Sequence, residues 1–147
     1  MAQFTFPEDP TGGTLTHRVQ VANSVKESPK TPLEYLHNFV VEFNKEYRDK
    51  LWLQASVSSF SAIGSSGRVE RYATVYVMAR FNRQQTRTIE MHMPNDDAFP
   101  VNLGVYTPHG TKWKYESVDE SAIEKRLSQL LEDLDVREAL SGLVKAD

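Results

Sequence analysis

The chain contains no cysteine, which excludes disulfides, thiolate nucleophiles and thiolate metal ligands in one step. It has no apolar run approaching the ~20 residues needed to cross a bilayer as a helix, so no membrane partner is expected. The N-terminal MAQFTFPEDP has neither the basic region nor the apolar stretch of a secretory signal, and a cytoplasmic or otherwise intracellular location is expected on that ground. His17, His37, His92 and His109 never fall at H-x-x-x-H or H-E-x-x-H spacing, so no metal site is expected. Asn95-Asp96-Asp97 lacks the frame of a calcium loop, and Gly64-Ser65-Ser66-Gly67 lacks the setting of a nucleophile elbow. No cofactor and no catalytic residue are expected, and a non-enzymatic role is favoured over an enzymatic one.

What is present is an ordinary globular composition: 147 residues, 39% hydrophobic and 25% charged. A chain of this size buries roughly 70% of its unfolded surface around one core. Charge is uneven along it. Residues 51–115 carry seven Lys/Arg against four Asp/Glu, and residues 116–147 carry four against nine. A nucleic-acid binder concentrates positive charge over a face. Here the acidic tail offsets the basic middle, which suits self-association at least as well.

Residues 1–30 hold three prolines, a Gly-Gly pair and one short candidate strand, His17 to Val21. They read as an extended N-terminal arm anchored by Phe4 and Phe6, with residues 31–147 as a single α+β domain. Thr31, Pro32 and Glu34 form a capping box with proline at the first helical position. Leu33, Leu36, Val40, Phe43 and Tyr47 then define the expected buried face of a helix. From Leu51 the period changes to two, with Leu51, Leu53, Ala55 and Val57 expected inward.

The next strand has two faces of which neither is plainly polar, Val69, Ala73, Val75, Val77, Ala79 and Phe81 against Tyr72, Thr74, Tyr76, Met78 and Arg80. Its second face is expected to be covered by another layer or a partner. Ile89, Met91 and Met93 continue the core row of a further strand, with Thr88, Glu90 and His92 opposite. A loop from Pro94 to Pro100 and a hairpin at Pro108-His109-Gly110 follow, in which Trp113 and Tyr115 are expected to share a face. Ser117 with Glu120, and Asp135 with Glu138, read as two more capping boxes. They open a helix striped by Ile123, Leu127, Leu130, Leu131 and Leu134 and a short final helix. The expected fold is α+β, an antiparallel sheet of about four to five strands against an N-terminal helix and one or two C-terminal helices.

Three surfaces could bind. Arg80 and Arg87 flank the turn that holds Arg83, with Arg68 and Arg71 nearby, and their guanidinium forks could clamp an anionic small molecule such as a nucleotide. Trp52 and Phe60, Tyr72 and Tyr76, and Trp113 and Tyr115 supply flat rings for stacking, with Tyr72, Tyr76 and Trp113 set beside the arginines, the ingredients of single-stranded nucleic-acid binding, although no zinc-finger or RNA-binding signature accompanies them. Glu90 and His92 share a strand face and could form an acid–base pair. Against these stands a protein partner, with homo-oligomerisation expected, engaged through the arm, the second sheet face and the C-terminal helix. Leu140, Leu143 and Val144 are expected to be left exposed for it if the sheet has no room for a third helix.

Overall fold

The computed structural model of the chain describes Phe4, Phe6 and residues 28–47, 50–61, 69–79 and 85–146. Helix α1, Pro32–Tyr47, starts as its capping box dictates. The Glu34 amide donates to Thr31 Oγ1 at 3.3 Å, and the Thr31 and Lys30 amides donate to the Glu34 carboxylate at 3.2 and 3.0 Å. Asp97 accepts from the Leu33 amide at 2.9 Å, which ties the helix start to a distant loop. The buried face is rotated from the expected one. Tyr35, Leu36, Phe39, Phe43 and Tyr47 are buried, whereas Leu33 and Val40 are only partly so. Phe39 and Phe43 wins that face because Phe4 and Phe6 pack on it: Phe4 lies 5.4 Å from Phe39, and Phe6 lies 5.7 Å from Phe39 and 6.3 Å from Phe43. The candidate strand His17 to Val21 lies outside the described residues.

Five strands follow: β1 Leu51–Ser61, β2 Val69–Ala79, β3 Gln85–Met93, β4 Val101–Thr107 and β5 Gly110–Val118. Each pairs antiparallel with the next, giving one sheet in the order β1-β2-β3-β4-β5. Alternation places Leu51, Leu53, Ala73, Val75, Val77, Ile89, Met91, Leu103 and Val105 on one face, all buried in a single core with residues of all three helices. Ala55 and Val57 were expected there too, but both are exposed. Among the described residues no layer covers the inward row of the second half of β1.

Asn44 fastens α1 to the outer edge of β1. Its Nδ2 donates to the Leu53 carbonyl at 3.0 Å and its Oδ1 accepts from the Leu53 amide at 2.6 Å. The side-chain amide thus stands in for one residue of a neighbouring strand.

Ser117-x-x-Glu120 does not open a helix. β5 runs on to Val118, which pairs with Val101 and is buried, so the core contact of the strand outweighs the local capping pattern. Asp119 instead holds a turn, accepting from the Ala122 amide at 3.2 Å and from Ser121 Oγ at 2.7 Å. Helix α2 is Ile123–Leu130 and helix α3 is Leu134–Ala146. A break between the two helices, expected at Asp135, is present but falls earlier, at residues 131–133, so that α3 already holds Leu134 and Asp133 accepts from the Asp135 amide at 2.9 Å. Leu134 leaves the α2 stripe altogether and is 69% exposed. Helix α3 packs on β2, β3 and β4, burying Val136, Leu140 and Leu143 and packing Val144 against the core. The final helix is therefore core, and the expectation of an unpartnered Leu140–Leu143–Val144 stripe is overturned. Within the described residues no helix is long and apolar enough to cross a membrane.

Candidate functional site

The alternate side chains of the sheet face away from the helices and build the second face. β1 contributes Trp52 and Gln54; β2 contributes Glu70, Tyr72, Thr74, Tyr76 and Met78, opposite His92, Glu90 and Arg87 of β3. β4 contributes Asn102, Gly104 and Tyr106, and β5 contributes Trp113 opposite Gly104.

Two irregularities decide which side chains reach this face. Between Val75 and Tyr76 the β2–β3 register shifts, so that Ile89 pairs with Val75 and Arg87 with Tyr76. Thr88 is the extra residue of the bulge. It is buried and its hydroxyl donates to the Val75 carbonyl at 2.9 Å. Thr88 therefore drops out of the row it was expected to share with Glu90 and His92, and Arg87 takes its place. A second shift, between Leu103 and Gly104, separates Trp113 from Tyr115. Tyr115 pairs with Leu103 and packs on the core under Arg126, while Trp113 pairs with Gly104 on the other face. The expectation that these two rings share a face is thereby corrected.

At the centre of the face lies His92. Its ring stacks on Tyr72 with centroids 4.5 Å apart and planes 15° apart, and Trp113 sits 6.1 Å away on its other side. Nε2 donates to Glu70 at 3.0 Å, and Nδ1 accepts from the Asn102 amide group at 3.1 Å. Asn102 Oδ1 in turn accepts from the Ser117 amide at 3.0 Å. The imidazole is thus locked on both nitrogens. Trp113 reaches it because Gly104 has no side chain: a Cβ there would lie 2.9 Å from Trp113 Cε3 and 2.8 Å from the Lys112 carbonyl.

Beside this cluster, Arg87 Nη2 hydrogen-bonds Glu90, whose side chain is almost wholly buried, and the guanidinium lies 4.4 Å over the Tyr106 ring. Burial of Glu90 is tolerated because Arg87 compensates its charge. Glu90 and His92 thus share the face, as expected, but each is committed to a different partner, and neither offers the other a proton path.

The sequence-derived arginines do not form one group among the described residues. Arg71 follows the core row of β2 and pairs with Asp96 in the loop after β3, holding that carboxyl below its ordinary range through the hydrogen bond. Arg87 lies on the opposite face. Arg68, Arg80 and Arg83 fall outside the described residues. Tyr72, Tyr76 and Trp113 do share the second face, together with Trp52, and are joined there by Tyr106, Glu70 and Asn102, which were not singled out for it. Period-two reading would have placed those residues there, given the register of β4 and β5. Among the described residues no cluster of His, Asp and Glu could hold a metal ion.

A separate cleft of about 320 Å³ lies where β5 meets α2, lined by Lys114, Tyr115, Asp119 and Arg126 among others. Its cations are engaged, Lys114 with Asp133 at 3.0 Å and Arg126 over Tyr115 at 4.5 Å. Comparison of the chain with family models, curated proteins and solved structures found no match, so the functional reading rests on its own residues.

Proposed function

We propose that the chain is a non-enzymatic interaction subunit that docks a protein partner on the second face of its sheet. The observation that carries this reading is the makeup of that face, which lies away from all three helices and leaves Trp52 41% and Trp113 39% exposed. Protein interfaces are enriched in Trp, Tyr, Met and Arg and depleted of unpaired charge. Trp52, Tyr72, Tyr76, Met78, Tyr106 and Arg87 supply the first set, and Glu70, Glu90 and Arg87 have internal partners. Tyr72 stacks on the doubly hydrogen-bonded His92 and Tyr106 lies under Arg87, so little freedom of these two rings is lost on docking.

Photo-cross-linking side chains placed at Trp52, Tyr76 and Trp113, with controls at Glu132 and Gly142 on the helical side, test this in native extract. A shared protein adduct at the three face positions and not at the controls is expected. Trp52→Ala should then weaken the purified pair by about thirtyfold or more, the scale of an interface hot spot, at an unchanged melting temperature. Adducts equally frequent at the controls, or none at the face, would refute the reading.

A further inference from the structure

The two edges of the sheet are built differently. β5 is an edge of a protected kind: it is interrupted by register shifts and carries Lys112, Lys114 and Glu116, devices that discourage pairing with another chain. β1 has none of them. Its sequence LWLQASVSSFS contains no charge and no proline, and it pairs with β2 through eleven consecutive residues without a bulge. Residues 54–59 are all exposed, including the core-row side chains of Ala55 and Val57, the latter at 44%.

The Asn44 contact reveals which backbone groups of this edge are free. Asn44 takes both the N–H and the C=O of Leu53, so Leu53 points both groups away from β2. In an antiparallel ladder every second residue does the same. Ala55, Val57, Ser59 and Ser61 therefore present their amides and carbonyls outward beyond the point where Asn44 ends the protected part. Among the described residues nothing pairs with those of Ala55, Val57 and Ser59.

We infer that this edge is a homodimer interface, in which β1 of a second copy adds antiparallel about a twofold axis at Ser58 to join two five-stranded sheets into one. The choice of a second copy follows from charge. A strand pairing with itself sets like residues opposite or diagonal to one another, which is destabilising for charged side chains. β1 is uncharged throughout, and its free segment is serine-rich with small Ala55 and Val57 on the core row. With Asn44 closing the ladder at Leu53, the open run from Ala55 to Ser61 has Ser58 at its middle. Val57 then pairs with Ser59 of the second copy, and the Val57 side chains of the two copies become diagonal neighbours where the helices leave the sheet bare.

Sedimentation equilibrium of the full chain up to millimolar concentration measures this, together with Val57→Pro, Val57→Lys and Ser58→Cys. A dimer is expected. Val57→Pro removes one outward N–H per copy and no bond to β2, so the monomer should keep its circular dichroism while the dimer dissociation constant rises about thirtyfold, two backbone hydrogen bonds in all. Val57→Lys should do the same by repulsion. Because the chain has no cysteine of its own, Ser58→Cys yields an unambiguous probe: facing residues of a non-hydrogen-bonded pair lie ~4.5 Å apart, within disulfide reach. Oxidation should convert it to a covalent dimer, and a Glu132→Cys control should give no covalent dimer on oxidation. A monomer at every concentration overturns the inference. So does a dimer that both Val57 variants leave intact and Ser58→Cys fails to lock. Neither result touches the partner-docking face, which lies on different residues.

Discussion

Asn44 is the strongest single test of how the helical layer is fixed to the sheet. Truncation to alanine removes both hydrogen bonds to Leu53 and leaves a buried N–H and a buried C=O behind, since Asn44 is 4% and Leu53 2% exposed. An unsatisfied buried backbone group costs about 1–3 kcal/mol. Part of that is relieved if water enters the space vacated by the amide, so Asn44→Ala should cost about 2–4 kcal/mol, which is roughly 6–15 °C in melting temperature for a domain of this size. Asn44→Asp keeps the shape and the acceptor but turns a charge toward the Leu53 carbonyl, and should cost more at neutral pH. Burial and the carbonyl dipole raise the folded-state pKa of the new carboxyl above its unfolded value. The penalty is therefore present above the folded pKa and lost as pH falls through it, where the protonated group donates as the amide does. Thermal denaturation of the three proteins at fixed concentration, with amide exchange at Leu53, measures these effects. If Asn44→Ala melts within about 0.5 kcal/mol of the parent, the range of an ordinary surface change, the side chain does not anchor α1 and the reasoning fails.

Gly104→Ala should cost about 1–3 kcal/mol by overpacking and alter the near-ultraviolet dichroism of Trp113, because its Cβ meets both the indole and the fixed Lys112 carbonyl. Gly142→Ala, in α3 with open space around it, should instead gain up to about 1 kcal/mol from helix propensity; equal melting of the two variants would disprove the close packing at Gly104. Tyr35 donates to Glu120 at 3.0 Å, and burial, that bond and the charges of Glu120 and Glu124 push its phenol up to about 12. Its contribution to stability is complete below the ordinary phenol value of 10.0 and lost as pH rises through about 12. Alkaline denaturation of Tyr35→Phe should lack that step, and an unchanged profile would show that Tyr35 is not its source.

Local chemistry was the most legible part of the chain. The Thr31–Glu34 box and Pro32 act through neighbours three residues apart, so they read correctly without a tertiary context. The same logic misled at Ser117–Glu120, whose letters fit a capping box but whose backbone is held in β5 by the Val101–Val118 pair. In α1 two apolar rows compete, and only the packing of Phe4 and Phe6 selects the one with Phe39. Strand alternation carried the core rows of β2 and β3 correctly through most of their length. It cannot reveal a bulge, because one inserted residue leaves composition and local propensity unchanged while exchanging the faces beyond it. That is why Arg87 joined Glu90 unannounced and Trp113 parted from Tyr115. The candidate face was therefore visible as Tyr72, Tyr76 and Trp113, whereas the bonds that organise it, Glu70 and Asn102 to His92, depend on register.

The strand order has a consequence for the sequence of events during synthesis. Every ladder joins neighbours in the chain, so each strand can pair as soon as its successor leaves the ribosome, and such local pairing folds faster than distant pairing. The helices that shield the core row of β2 to β5 come last, from Ile123 onward. Until then Val75, Val77, Ile89, Met91 and Leu103 form an assembled but uncovered apolar surface, the kind that draws chains into aggregates. The acidic segment that follows supplies the cover, setting Ile123, Leu127, Val136 and Leu140 into the same core.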